Sequence, residues 1–152
     1  MGLLFAAVFG IDHAPGSLKA LIGVCYDGHR GYRTAASYAG SMEMKRFLAK
    51  LSAEREQFGE QLLHKLGTGL PAYGSFTGTL HRRWIDLRDK LGAMSQADLL
   101  QECVRGETVA IGQYEDVLAK QMPADVRAVV ANQLGRILET RERLVQLADE
   151  GG

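Results

Sequence analysis

Proline, cysteine and aromatic residues are scarce: 3 prolines and 2 cysteines occur in 152 residues, and Phe, Trp and Tyr together make up 7%. So few prolines leave long stretches free to run as helix. Cys25 and Cys103 lie in different segments without CxxC spacing, which excludes a zinc ribbon and a disulfide framework. Free thiols in a reducing cytoplasm are the expectation. An excess of one charge is missing too, since 18 Lys and Arg balance 18 Asp and Glu. Nothing global draws the chain to nucleic acid or to an anionic membrane. The opening MGLLFAAVFG is apolar but lacks a basic leader region, and it meets Asp12 and His13 well before it could span a bilayer. No transmembrane segment is expected. GxSxG elbows, phosphate loops, dinucleotide fingerprints and His-Glu-x-x-His are all absent, which removes hydrolase, nucleotide and zinc-peptidase chemistry.

What is present is apolar residues at helical spacing, 46% of the chain being hydrophobic. That is enough for one globular core. Breaks fall at Ala14-Pro15-Gly16, near Gly40-Ser41, across Gly67 to Gly78, at Gly92 and at Met122-Pro123. The first helix is expected from Ser17 to about Ala39, with Leu18, Ile22, Cys25, His29, Tyr32 and Ala36 on one stripe. The second, Met42 to Leu66, stripes Phe47, Leu51, Glu54, Phe58 and Gln61, with Met44, Leu48, Leu62 and Leu66 widening the face. Leu80, Trp84, Leu87 and Leu91 then mark an amphipathic connector helix whose Trp84 should be buried; its Arg82, Arg83, Asp86 and Asp89 read as a solvated face, not a nucleic-acid patch. A helix from a Ser95 N-cap to about Gln121 stripes Leu99, Cys103, Glu107, Ala110 and Tyr114. The last, Ala124 to about Asp149, carries Val126, Val130, Gln133 and Ile137 beside a second row with Leu134, Leu138 and Arg141.

The expected fold is therefore all-α: a ferritin-like four-helix bundle of two hairpins, 17–150, with an amphipathic crossover helix and an apolar N-terminal extension, 1–16. Each stripe is interrupted near mid-height by a polar residue, and counting from the turns sets His29 opposite Ser52 to Glu54 and brings His29 and Glu107 to one level. His29, Glu54, Glu107, Gln133 and Arg141 form the expected polar network of the core. Gly28, Gly31, Gly106 and Gly112 interrupt helices at about 1 kcal/mol each, so close approach of the first and third helices, or room for a ligand, should compensate.

The blocks Leu21-Ile22-Gly23-Val24-Cys25-Tyr26-Asp27-Gly28-His29-Arg30-Gly31-Tyr32, Ala53-Glu54-Arg55-Glu56-Gln57-Phe58, Leu80-His81-Arg82-Arg83-Trp84 and Glu102-Cys103-Val104-Arg105-Gly106-Glu107 resemble, in order, a bacterial four-helix-bundle family. That family is ferritin-like in fold and catalogued as a domain of unknown function. The resemblance runs from about residue 17 to the end and implies a fold, not an activity. Its pattern carries a carboxylate where His29 stands and a histidine near Arg141, so any site it implies is altered here.

A di-iron bundle needs inward Glu-x-x-His pairs on two helices, and the chain has none. A permanent cation at Arg141 would repel iron and pair instead with Glu54 or Glu107. The first functional reading is thus a non-catalytic helical bundle acting as a homo-oligomer or with a protein partner, its core charges mutually compensated. The alternative is a metal-binding bundle holding one divalent ion, iron, zinc or manganese, on His29, Glu54 and Glu107. Cys25 with His29 and Cys103 with Glu107 have chelating spacing, yet a lone cysteine on a core stripe is usually a small hydrophobe. The leading apolar segment should dock on the bundle, on a neighbouring subunit or on a membrane surface. Deleting residues 1–15 should change the mass in light scattering, the melting temperature or vesicle partitioning; no change in all three would leave the segment without a role.

Overall fold

The structure, a computed structural model, describes residues 2–67 and 93–151, with side chains from residue 16 onward. Among these residues there are four helices and no strand: α1 (Gly2–Tyr38), α2 (Met42–Leu66), α3 (Gln96–Leu118) and α4 (Ala124–Gly151). No helix among the described residues is long and apolar enough to cross a membrane.

Local chemistry sets most ends. Ser41 caps α2 by accepting from the Met44 amide at 3.1 Å, and Ser95 caps α3 by accepting from Asp98 at the same distance. Gly67 closes α2 with φ +111°, a conformation open to glycine at little cost. Two boundaries differ from expectation. α3 stops at Leu118 rather than about Gln121, because Arg127 donates to the Leu118 and Lys120 carbonyls and satisfies the orphan acceptors of that turn. α1 begins at Gly2 rather than Ser17 and continues through Pro15. A proline removes one donor from the ladder, and here it does not end the helix.

Cross-helix bonds give register and direction. The His29 ring lies 3.1 Å from the Ser52 carbonyl, the level the turn at Gly40 implied. Cys25 meets Tyr114, while seven residues on Tyr32 meets Glu107, seven residues back, so α1 and α3 are antiparallel. Lys65 to Asp125, Gln133 to the Phe58 carbonyl and Arg136 to Glu54 make α2 and α4 antiparallel as well. α1 packs on α2 and α3 on α4; the hairpins meet as α1 on α3 and α2 on α4, leaving α2 and α3 diagonal and parallel. The end of α2 and the start of α3 therefore lie toward opposite ends of the bundle, the length of α2 being about 37 Å for its 25 residues, with residues 68–92 between them in the sequence. The expected connector helix with Trp84 lies in that stretch, outside the described residues.

The core is a continuous apolar cluster that draws on every helix, with Ile22, Leu48, Leu100, Val130, Ile137 and Leu144 fully enclosed. On α2 the buried row is Met44, Leu48, Leu51, Arg55, Phe58 and Leu62, so Arg55 points inward where Glu54 was expected to. Each residue turns the helix by 100°, and this face is rotated by one position.

Of the interior glycines, Gly28 has a steric reason: a Cβ there would sit 3.3 Å from Cγ of Arg55. The close neighbour is therefore a side chain of α2 and not the backbone of the third helix. Around Gly112 and Gly135 nothing lies within 4 Å of such a Cβ. Gly112→Ala and Gly135→Ala should each stabilise the fold by up to about 1 kcal/mol, whereas Gly28→Ala should destabilise it; urea denaturation of the three variants tests the contrast.

Candidate functional site

Arg55 is 1% exposed and makes an ion pair with Glu107, which is 2% exposed. The pair joins α2 to α3 across the diagonal of the bundle, over the gap left by Gly28. The ring centroids of Tyr32 and Phe58 each lie 5.8 Å from the guanidinium carbon, within cation–π range. Burial works hardest against the Arg55 charge, but Glu107, Tyr32 and Tyr114 together outweigh it and raise its proton affinity further. For Glu107, burial pushes the carboxyl above its usual range while Arg55 and then Tyr32 pull it back. Tyr32 is itself pushed well up, first by burial and then by the Glu107 charge.

A second polar level links all four helices. Tyr114 donates to Oε1 of Gln133 at 2.7 Å, and Nε2 of Gln133 donates to Gln61 at 2.9 Å and to the Phe58 carbonyl at 3.2 Å. The Tyr114 proton being committed, the Cys25 thiol is the donor in its 3.1 Å contact with the Tyr114 hydroxyl. The sense of the chain is thus fixed from α1 to α2. Burial pushes Cys25 up to about 11 and Cys103 higher still, so neither free thiol is a nucleophile at neutral pH.

At the α1–α2 boundary, Ser52, His29 and Glu56 imitate a hydrolytic triad, with Nδ1 of His29 2.9 Å from the Ser52 hydroxyl and Nε2 3.2 Å from Glu56. The hydroxyl, however, donates to the His29 carbonyl at 2.7 Å, and Ser52 is 4% exposed. It is neither free nor reachable, and the cluster is a clamp between two helices.

The sequence-derived candidates consequently disperse. Glu107 and Gln133 are buried, at the two separate polar levels; His29 turns to Glu56, and Glu54 to Arg136 at 2.7 Å. Arg141, expected as the counter-ion of Glu54 or Glu107, instead donates to Thr108 at 2.9 Å near the surface. The counter-ion of Glu107 is Arg55, and that of Glu54 is Arg136. Among the described residues no three His, Cys, Asp or Glu side chains gather as a metal-binding group. An open trough of about 590 Å³ between α2 and α4 is lined by Gln57, Glu60, Gln61, His64, Lys65 and Val129, and its lysine is already 3.1 Å from Asp125. Sequence reasoning passed over Arg55 and Asp27, the latter a carboxylate 1% exposed, and placed Tyr32 on the core stripe without a polar role. Spacing alone marks Arg55, four residues after Leu51 and three before Phe58.

The chain belongs to a family described as a domain of unknown function (DUF2383), whose model matches residues 14–120. No curated protein matches it. The matched span contains Arg55, Glu107, Tyr32, Cys25 and Tyr114, while Gln133 and the rest of α4 lie beyond it.

Removing either member of the central pair strands a buried charge. Arg55→Met or Glu107→Leu alone should cost about 3–5 kcal/mol, and the double replacement much less. Denaturant melts of the cycle measure the coupling, and additive effects would refute it.

Proposed function

We propose that this protein is a non-catalytic helical bundle that works by association, with a second copy or with another protein, and that its core charges serve to fix helix register. The observation that carries the reading is the pairing of Glu107 with Arg55. A carboxylate at mid-height on α3 is the natural first ligand for a metal between facing helices. Here it faces a guanidinium that stays charged at any working pH. Oxidative chemistry in such a bundle depends on inward carboxylates and histidines free to bind, and His29 and Glu54 have other partners at the periphery.

Association draws support from the apolar opening segment, where Leu3, Leu4, Phe5, Val8 and Phe9 add more apolar surface than a four-helix core needs. Two buried free cysteines accord with a reducing compartment, and we place the protein in the cytoplasm on that ground.

Elemental analysis of protein purified without chelator or histidine tag tests this reading. Iron, zinc and manganese should each fall far below one ion per chain, and ferroxidase activity should be absent. A stoichiometric ion, or oxygen-dependent iron oxidation at two ions per chain, would overturn it in favour of a metal-binding bundle.

A further inference from the structure

We propose that the bundle core contains a cation site specific for a guanidinium group, built by three helices, of which the Arg55 side chain is the resident ligand. The walls are the Glu107 carboxylate from α3, the Tyr32 ring from α1 and the Phe58 ring from α2. Each has a distinct task. The carboxylate accepts from Nη2 of Arg55, pairing its charge with a cation that is always ionised and holds water less tightly than an ammonium does. The rings, with centroids 5.8 Å from the guanidinium carbon, turn their electron-rich faces toward a delocalised cation that sheds water easily. Gly28 supplies the space, since a Cβ there would lie 3.3 Å from the Arg55 stem.

The donor set also rejects divalent metals. One carboxylate and two aromatic faces leave most of a metal's coordination positions empty, and among the described residues no further His, Cys, Asp or Glu completes a group of three. With the side chain at 55 cut back to a methyl group, the site becomes a buried anion at the end of an apolar-walled cavity. Such a cavity holds a free planar cation in the place of the lost head group. The selectivity runs guanidinium, then ammonium, then divalent metal, and it stands whether or not the bundle is catalytic.

The test is chemical rescue of Arg55→Ala, followed as melting temperature at fixed ionic strength with millimolar guanidinium, methylguanidinium, methylammonium, zinc or iron(II). The two guanidinium ions should raise the melting temperature of the variant saturably and leave the native protein unmoved. Methylammonium and the metals should not raise it. An equal response to methylammonium, a saturable response to a metal, or no response to guanidinium in a folded variant overturns the proposal. Arg55→Ala/Glu107→Leu must lose the response, and a retained one places the cation elsewhere. Should Arg55→Ala not fold, Arg55→Lys decides: melting well below the native protein supports a guanidinium-specific site, and native-like melting refutes it.

Discussion

A guanidinium and a carboxylate, both almost wholly removed from water, face each other at the centre of this bundle, and much of the surrounding structure accommodates them. Withdrawing two ions from water costs several kcal/mol each, which their attraction offsets only when geometry is good and the remaining polar atoms are served. Around Arg55 stand a glycine under its stem, two aromatic faces beside its head and a tyrosine that eases the charge on Glu107, while its Nε has no hydrogen-bond partner among the described residues. Apolar residues of equal volume would fill the space at no electrostatic cost. What they would not do is tell one helix register from another.

That distinction matters because the hairpins differ in how they are joined. Within each hairpin a short turn fixes which residues face one another; between them, among the described residues, side chains do so. An apolar stripe repeats every three or four residues and tolerates a slip by one turn. A directed chain from Cys25 through Tyr114 and Gln133 to Gln61, and an ion pair that must span the diagonal, do not. The pair of an exposed Arg136 with a largely buried Glu54 repeats the same alignment toward the rim.

Helix identities, most ends and the partner of His29 across the first turn were legible because apolar spacing and serine caps are local signals. Arg55 was not. Its position on the Leu48, Leu51, Phe58, Leu62 row was visible in the spacing, but the expected stripe ran through Glu54, one position away, and a buried permanent cation is rare. That single choice misdirected the rest of the site: with Arg55 unassigned, Glu107 had to be matched to Arg141, which in fact bonds Thr108. Gln133 was readable as an interruption of an apolar row, but its partners on α2 and α3 depend on how the two hairpins dock, and spacing along the chain does not fix that. The helix through Pro15 was missed for the converse reason, a strong local breaker signal that the chain overrides.

Every helix in the bundle is antiparallel to both of its neighbours, with like-directed helices only on the diagonals. The partial charges at the helix ends therefore alternate around each end of the bundle and largely cancel at a distance. Together with a side-chain balance of 18 cations against 18 anions, this leaves neither a net charge nor a summed dipole of the four described helices to steer an encounter. Association without electrostatic steering proceeds at about 10⁵–10⁶ M⁻¹s⁻¹. An association of the kind proposed above would then rest on unaided diffusion, at a rate little affected by ionic strength.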